Sequence, residues 1–378
     1  MTQYSAVGKE SKILDKLENY LDIYVGIDAH KRSFAIAFWS REAGLLEEIA
    51  MPADIQALLG LLGQVRERIT LCVYEAGPTG YGLVRALREA GMQAEVIVPG
   101  SIPKPQTHDS KTDRIDARSL ACYAAKDMLH YVHVPSPRQD ADRQLLRHRD
   151  KGRKELTRIK NEIKMFLLYN GIEEPEGLVQ WSRAAVAELE TMLLAEGLRA
   201  LLDMLLERYR FCHEHLARYM SRTRRLGKEE RHSEKLERLR EIGGVGLLTA
   251  MTALVELHNP ERFERPEQVA KYAGLSPRLH QSGDGSRSVG LSPVGNRHLR
   301  HVLIEAAWRW WRRDEHARAR YEQLRASTGC AQKAIAGLAR KLVITMWRML
   351  VDGTPYIAGG PPRERHGARH GPVCASAA

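Results

Sequence analysis

The stretch YVGIDAHKRSFAIAFWS, residues 24–40, decides the fold of the first part of this chain. Two apolar runs flank the polar turn HKRS, and the first run ends close to a carboxylate, Asp28. Short apolar runs bounded by turn residues are typical of buried strands. Similar patterns continue to about residue 135 in the order strand-strand-strand-helix-strand-helix-strand-helix, which predicts an α/β domain with a mixed sheet and flanking helices.

The composition indicates a globular protein whose partner is a polyanion. Of the 378 residues, 43% are hydrophobic and 28% are charged, and the formal net charge is +11. Such a basic chain favours nucleic acid over a membrane surface, because each phosphate that Lys or Arg neutralises releases counterions. No apolar run is long enough to span a bilayer, and the N-terminus lacks a signal-peptide core. The five cysteines form no C-x-x-C pair, so we expect reduced thiols, no zinc site and a cytoplasmic location.

Changes in composition and in the pattern of apolar and charged residues along the chain predict three domains and two flanking segments. The second domain is a basic helical arm, in which residues 141–170 hold nine Lys or Arg against four Asp or Glu. It is predicted as a helical hairpin or coiled coil, and the alternative is a solvated charged helix. In the third domain, the segment SPRLHQSGDGSRSVGLSPVGN is predicted as a polar loop. The predicted segments are an N-terminal extension (1–21), the α/β domain (22–137), the helical coiled-coil arm (138–235), a mainly helical, all-α C-terminal domain (236–351) and a disordered tail rich in Gly, Pro and Arg (352–378).

Four acidic residues stand at strand and helix ends of the α/β domain. Asp28 ends the first predicted strand and Glu75 ends the fourth, whereas Asp113 and Asp116 lie three residues apart at the start of a helix. Neighbouring strands of an open sheet bring their carboxyl ends together, where ligands usually bind. Four carboxylates at one place repel one another unless a cation lies between them, and such oxygen ligands suit Mg²⁺. Taken singly, each acid has a simpler explanation as a turn residue, a surface acid or a helix cap.

The segments that carry these acids resemble motifs of a known family. YVGIDAHK, VYEAGPTGYGL and SKTDRIDARSLA look like successive motifs of the IS110/IS1111 family of transposases. The resemblance implies a RuvC-type, RNase H-like nuclease fold, whose D-E-D-D set falls on Asp28, Glu75, Asp113 and Asp116. It also implies that this set holds Mg²⁺, with two ions expected and Mn²⁺ able to substitute. Basic residues before and between the last two acids are expected to contact substrate phosphates; they are Lys104, Lys111 and Arg114.

The C-terminal domain carries a second group of motifs of the same family. The segment VAKYAGLSPRLHQSGDGSRSVGLSPVGNRHLRHVLIEAA is similar to the family's C-terminal transposase domain, and the match implies a catalytic serine at Ser282. His280 is a nearby candidate base, and three further serines remain open as alternatives, namely Ser286, Ser288 and Ser292. Four arginines around the loop are expected phosphate contacts: Arg278, Arg287, Arg297 and Arg300. The upstream glycine turn in IGGVGLL resembles a helix-hairpin-helix motif, and a packing turn is an equal alternative.

The resemblance implies a DNA transposase or recombinase of an insertion sequence. A serine hydroxyl can attack phosphorus and hold one DNA end covalently, which conserves bond energy for rejoining. The family further implies double-stranded donor and target DNA, a structured noncoding guide RNA (bridge RNA) encoded by the element, and a homo-oligomer that is a dimer or a tetramer. It places the acids and the serine in one composite site, to which different subunits can contribute, in the bacterial cytoplasm at the nucleoid.

Two other functions are compatible with the same residues. A RuvC-type, metal-dependent nuclease for structures such as Holliday junctions would use the four acids alone, without a covalent serine step. A noncatalytic nucleic-acid-binding protein would use only the basic surface. Substitution of Ser282 separates the nuclease from a recombinase, and substitution of Asp28 separates a mere binder from either enzyme.

Overall fold

The computed structural model describes residues 15–98, 113–282 and 285–359, without the side chains of 113–115 and 279–289. The chain divides between Val134 and Pro135 into two compact units, which are described separately. The predicted boundary at 137, and the separation of the arm from the C-terminal domain, stay predictions. Most of the predicted N-terminal extension and tail, and several predicted contact residues, lie outside the described residues or have undescribed side chains; these residues are Lys104, Lys111, Arg114 and Arg287.

The first unit contains a six-stranded sheet in the order β3-β2-β1-β4-β5-β6. The strands β1, β4 and β5 are parallel, and β2, β3 and β6 run antiparallel to their neighbours. The predicted mixed sheet with flanking helices is therefore confirmed. Its elements are β1 (Ile23–Ala29), β2 (Ser33–Ser40), β3 (Gly44–Pro52), α1 (Ile55–Gly63), β4 (Ile69–Glu75), α2 (Gly82–Glu89), β5 (Ala94–Ile97), α3 (Asp113–Ala125) and β6 (Tyr131–Val132). The sequence did not reveal β6, because two residues are too few to show an alternating pattern.

Each face of the sheet is buried under different helices. Val25 and Ile27 of β1 belong to a core that also contains Leu58 of α1 and Leu87 of α2. The opposite face carries Tyr24 of β1, which packs in a second core with residues of α3. Successive side chains of a strand point to opposite faces, so the apolar runs of the sequence reflect burial on both sides of the sheet.

The helix α3 lies directly on β1 at Gly26. A Cβ atom built at Gly26 would stand 2.2 Å from the carbonyl oxygen of Ala117 and 2.5 Å from the backbone nitrogen of Ala121. On the neighbouring strand, the small side chains of Ala35 and Ala37 pack against the same two alanines. Only a glycine permits so close an approach of strand and helix, which fixes the position of α3 over the sheet.

The second unit begins with a long helical hairpin. Its two long helices, α4 (Pro137–Tyr169) and α6 (Glu196–Gly227), are joined through α5 (Arg183–Thr191). The Arg149–Met220 contact of 3.3 Å and the Arg208–Glu162 contact of 2.8 Å show that α4 and α6 run antiparallel. Apolar residues between them form a separate core. The helical hairpin predicted from the basic 138–235 segment is thus what these residues form.

The remaining helices surround a second large core. They are α7 (Glu230–Arg240), α8 (Leu247–Leu257), α9 (Pro266–Tyr272), α10 (Arg297–Arg313), α11 (Glu315–Thr328) and α12 (Ala331–Asp352). Leu254 of α8, Leu303 of α10 and Leu342 of α12 are among its buried members. Within the described part of the chain, no helix has the length and apolar character needed to cross a membrane.

The predicted polar loop is wrong, because its residues form an antiparallel hairpin of β7 (Pro277–Ser282) and β8 (Gly285–Leu291). We call this element the serine hairpin. Its strands contain few apolar residues, so they cannot be recognised from an alternation of apolar and polar residues. The available signal was the Gly-Asp pair between the two strands, since such pairs favour two-residue hairpin connections.

An ion-pair network joins α4 to α7. Both terminal nitrogens of Arg231 donate to the carboxylate of Asp142, and the His232 Nε2 atom lies 3.2 Å from the same carboxylate. Burial raises the pKa of Asp142, but the hydrogen bonds from His232 and Arg231 outweigh burial, so its pKa lies below the ordinary value. This carboxylate therefore stabilises the fold as an anion.

Candidate active site

The structure brings two of the predicted acids to the same edge of the sheet. The parallel strands β1 and β4 are in register at Ile27 and Tyr74, and Asp28 and Glu75 follow directly at their carboxyl ends. Since side chains alternate along a strand, Asp28 shares the face of Gly26, which is the face that α3 covers. By the same alternation, Glu75 shares the face of Val73, which packs in the core under α3.

The first turn of α3 supplies the other two predicted acids. Asp116 immediately precedes Ala117, whose carbonyl oxygen makes the close approach to Gly26, and Asp113 is the first residue of the helix. The side chain of Asp113 lies outside the described residues. A bidentate pair from Arg118 to Glu48, with distances of 2.7 and 2.9 Å, holds the same helix to β3. The hydrogen bond to Glu48 raises the pKa of Arg118 above its ordinary value.

The acids differ in exposure and in their partners. The Asp28 side chain is 19% exposed, and its Oδ2 atom lies 3.1 Å from the Nε2 atom of His30. Glu75 is exposed. His30 was not predicted as a site residue, although its place two residues after Asp28 at a strand end was a usable signal. Among side chains that the structure describes, no three of His, Cys, Asp and Glu are grouped closely enough to hold a metal ion.

The donor chemistry at this edge nevertheless suits a hard divalent cation. Asp28, Glu75 and Asp116 offer carboxylate oxygens, which Mg²⁺ and Mn²⁺ prefer, and the fourth predicted ligand is the undescribed Asp113 carboxylate. Magnesium sites commonly use only one or two protein carboxylates and complete their coordination with water and substrate phosphate. The residues present therefore fit such an ion.

The serine hairpin places the other predicted catalytic residue at a strand end. Ser282 is the last residue of β7 and is paired with Gly285, the first of β8, so its backbone lies at the tip. Ser292 lies at the base instead, where its backbone N–H donates to the Ser276 carbonyl oxygen at 3.0 Å. The side chains of Ser282 and of His280 are outside the described part.

The predicted basic contacts around this hairpin have different environments. Arg278 and Arg297 are exposed. Arg300 is half-buried, and its Nε and Nη2 atoms are buried without a hydrogen-bond partner among described atoms. A Cβ atom at Gly274 would lie 2.4 Å from Nη2 of Arg300, so this guanidinium packs against the chain that leads into the hairpin. The structure thus leaves Arg278 and Arg297 accessible to phosphate and uses part of Arg300 in packing.

The glycine turn connects α7 and α8 and also packs against α10. A Cβ atom at Gly244, which has a φ of +92°, would lie 2.8 Å from the backbone nitrogen of Trp310. The close contact supports the packing turn, and the helix-hairpin-helix resemblance stays a prediction. Arg309 and Arg313 of α10 line the open cleft beside the turn.

Sequence reasoning missed one basic surface on the arm. His215, Arg218, Arg222 and Arg225 of α6 line an open cleft beside Leu145 of α4. Spacings of three and four residues put these side chains on one face of the helix. Within the described chain, neither Arg222 nor Arg225 has an ion pair with a carboxylate, and both are exposed. The 3-4 spacing of the arginines was the signal that could have located this face.

Two family models match this chain, one in each part that carries predicted site residues. The family model DEDD_Tnp_IS110, described as a transposase, matches residues 25–169, and the Transposase IS116/IS110/IS902 family model matches residues 236–322. The first range includes the four acids and the second includes the serine hairpin.

Several curated proteins that are similar to this chain are named as transposases. A putative transposase, y4qE, from Sinorhizobium fredii is 27% identical over 366 residues, covering 87% of this chain and 88% of the relative. The transposase for insertion sequence element IS1533 from Leptospira borgpetersenii is 28% identical over 295 residues, covering 76% and 84%. The transposase for insertion sequence element IS1111A from Coxiella burnetii is 28% identical over 225 residues, covering 59% and 61%. With both family models matched in order along it, the chain belongs to the IS110 family of insertion-sequence transposases.

Proposed function

We propose that this protein cleaves and rejoins DNA strands of an insertion sequence, with Ser282 as nucleophile and with Asp28, Glu75, Asp113 and Asp116 as ligands of divalent metal. The observation that carries the proposal is the position of Asp28 and Glu75 at the carboxyl ends of neighbouring parallel strands, on the face covered by α3. This arrangement lies within the segment that the DEDD transposase model matches. An RNase H-like assignment of the domain is part of the same proposal.

The four acids account for the metal-binding half of the chemistry. A bound Mg²⁺ supplies Lewis-acid stabilisation of phosphodiester oxygens. In this proposal two strand ends and the first turn of α3 supply the oxygen ligands, and the backbone contact at Gly26 fixes the helix on the sheet. Such a site requires its ligands to stay ionised, which neighbouring carboxylates do when a cation lies between them.

Ser282 accounts for the rejoining half. Its hydroxyl oxygen forms an ester bond with phosphorus while one sugar oxygen leaves and takes up a proton, so the number of phosphate ester bonds is unchanged. The DNA end stays attached to the protein until another strand's hydroxyl displaces the serine. A hydrolytic nuclease would instead pass the phosphate to water. The tip of a hairpin is a suitable place for this group, because DNA can approach it from several sides.

The basic surfaces account for nucleic-acid partners. Donor and target DNA contact phosphate-binding arginines such as Arg278 and Arg297, and the guide RNA that the family resemblance implies occupies further basic surface. Proteins hold guide duplexes mainly by shape and backbone, while base pairing reads sequence. The working form is a homo-oligomer, a dimer or a tetramer, in which subunits complete one another's sites.

The test is an assay for a covalent protein–DNA adduct. The full-length protein, purified with its bound RNA, is incubated with Mg²⁺ and labelled element-end DNA and then separated on a denaturing gel. We expect a DNA-linked protein band that Ser282→Ala abolishes and that Ser286→Ala and Ser288→Ala retain. Asp28→Asn should abolish both the adduct and strand cleavage without lowering DNA binding.

The competing functions give different results in the same assay. Cleavage at the full rate by Ser282→Ala without any adduct would identify a metal-dependent nuclease and refute the serine step. Normal recombination by Asp28→Asn would refute the metal-site assignment. A protein that binds DNA but neither cleaves it nor forms an adduct with any metal tested would be a binding protein.

A further inference from the structure

A buried carboxylate lies below the serine hairpin. Glu256, near the end of α8, is 1% exposed. Its Oε1 atom accepts a hydrogen bond of 2.7 Å from Nε of Arg147, and its Oε2 atom accepts bonds of 2.8 Å from Nη2 of Arg147 and 2.7 Å from Nδ2 of Asn296. A buried charge is costly unless such partners satisfy it, so all three side chains depend on one another.

Asn296 connects this carboxylate to the outgoing end of the hairpin. It is the N-cap of α10, and its side-chain oxygen accepts a hydrogen bond of 3.1 Å from the Leu299 N–H. Its own backbone N–H donates to the Tyr272 carbonyl oxygen at 2.7 Å. The strand β8 ends at Leu291, so Asn296 fixes the chain shortly after the hairpin returns to the helical core.

The incoming end of the hairpin is held at the same place. Tyr272, the last residue of α9, donates its hydroxyl hydrogen to the Glu256 carbonyl oxygen at 2.8 Å. Between the two ends, a Cβ atom at Gly295 would lie 2.5 Å from the Gly274 Cα atom, so the two chain segments touch. The base of the hairpin is therefore clamped at Glu256, whose side chain holds the outgoing end through Asn296 and whose backbone carbonyl oxygen holds the incoming end through Tyr272.

We infer that Glu256 is a positioning residue for the serine hairpin, acting through Asn296 and supported by Arg147 from α4. The inference rests on the proposed role of Ser282. A six-residue strand is about 20 Å long, so a tilt of about 3° at its base moves its tip by about 1 Å. A displacement of about 1 Å in a reacting group can lower a rate about 100-fold. Contacts that fix the base of the hairpin therefore also determine where Ser282 lies at its tip.

Glu256→Gln tests the inference with little change of shape. Three donors point at the Glu256 carboxylate, and the NH2 group of the amide faces at least one of them in either orientation, so a contact with Asn296 or with Arg147 is lost. We expect adduct formation to fall 10- to 100-fold, nucleic-acid affinity to change less than about twofold, and amides of residues 277–291 to exchange hydrogen at least tenfold faster. Adding Asn296→Asp reverses donor and acceptor, because the new carboxylate accepts from the amide and still caps α10, and should restore both readouts severalfold.

Asp142→Asn is the matched control. It also removes a carboxylate that pairs α4 with an arginine, but that network has no hydrogen bond to the hairpin base among the contacts of the described residues. We expect it to lower thermal stability without faster exchange at 277–291. If Glu256→Gln does not fold, Arg147→Gln weakens the same clamp at a residue that is 36% exposed and should give a smaller change of the same kind.

The exchange measurement separates this inference from the proposed function. If Ser282→Ala still forms the adduct, the serine role fails, yet the exchange result still reports on the clamp. Equal exchange at 277–291 in Glu256→Gln and Asp142→Asn would overturn the inference. Failure of Asn296→Asp to restore either readout in the Glu256→Gln background would overturn it as well.

Discussion

Gly26→Ala is the sharpest test of how the carboxylates are held. The added Cβ atom would stand 2.2 Å from the Ala117 carbonyl oxygen, whereas ordinary contacts of this kind begin at 3.4 Å. The obstacle is helix backbone, so no side chain can turn aside, and α3 must withdraw by about 1 Å. Overpacking of this kind costs about 1–3 kcal/mol in cores, and a backbone contact belongs at the upper end.

The same displacement should reach catalysis, because α3 carries Asp113 and Asp116. We expect Gly26→Ala to lose about 3 kcal/mol of unfolding free energy, which is a fall in melting temperature of about 10 °C. Adduct formation at a temperature where the variant is still folded should fall about 100-fold. Gly60→Ala is the control, since a Cβ atom there meets nothing within 4 Å on an exposed face of α1. It should gain up to about 1 kcal/mol and keep full activity.

Thermal denaturation followed by circular dichroism, together with the gel assay, measures both effects. A melting temperature for Gly26→Ala within about 2 °C of the unaltered protein would show that α3 does not lie against β1 as described. Loss of stability with full adduct formation would show that the first turn of α3 is not part of the catalytic site. Either result would refute the reasoning that links the Gly26 contact to Asp116.

Two further predictions concern the second unit. Arg222→Glu combined with Arg225→Glu should weaken binding of the copurified RNA or of element DNA and reduce the slope of log affinity against log salt by about 2. Arg224→Glu, which lies between them on another face of the helix, should change this slope less. Unaltered binding of both nucleic acids by the double variant would contradict a phosphate-binding role for this face. Because its pKa is lowered in the folded state, the Asp142 carboxylate stabilises the protein above about pH 4, and this contribution is lost as the pH falls further. Asp142→Asn removes the less exposed of the two carboxylates that pair with Arg231 and leaves it Glu229, so it should destabilise the protein by about 2 kcal/mol at pH 7 and flatten the acid limb of a denaturation profile measured from pH 5 to pH 2.

The sequence was sufficient for five of the six strands and for the position of Asp28 and Glu75 at the carboxyl ends of neighbouring strands. Both follow from local patterns and from the general rule that neighbouring strands of an open sheet end at a common edge. The Gly26 contact could not be predicted, because it depends on which helix crosses which strand. The sequence offered only a glycine in an apolar run, which has several possible uses.

The serine hairpin and its clamp show a different limit. A polar hairpin is held by backbone pairing, which leaves little trace in hydrophobic periodicity, and the turn residues were its main signal. Glu256 did leave a trace, since it is the one charged residue in the apolar helix LLTAMTALVEL, and a lone acid in such a helix requires a partner. The partner, Arg147, is 109 residues away in the chain, so only the folded structure could identify it.

The two halves of the proposed site are therefore positioned by different kinds of contact, and they should respond differently to substitution. At Gly26 the backbone of β1 lies against the backbone of α3, and no residue with a Cβ atom can stand at this position unless α3 moves. At Glu256 the contact is a set of directional hydrogen bonds, which a second substitution of opposite polarity can rebuild. Compensating variants should thus be obtainable for the serine hairpin and not for the crossing of α3 over β1. A genetic search for second-site suppressors should find Asn296→Asp for Glu256→Gln and find none that restores activity to Gly26→Ala.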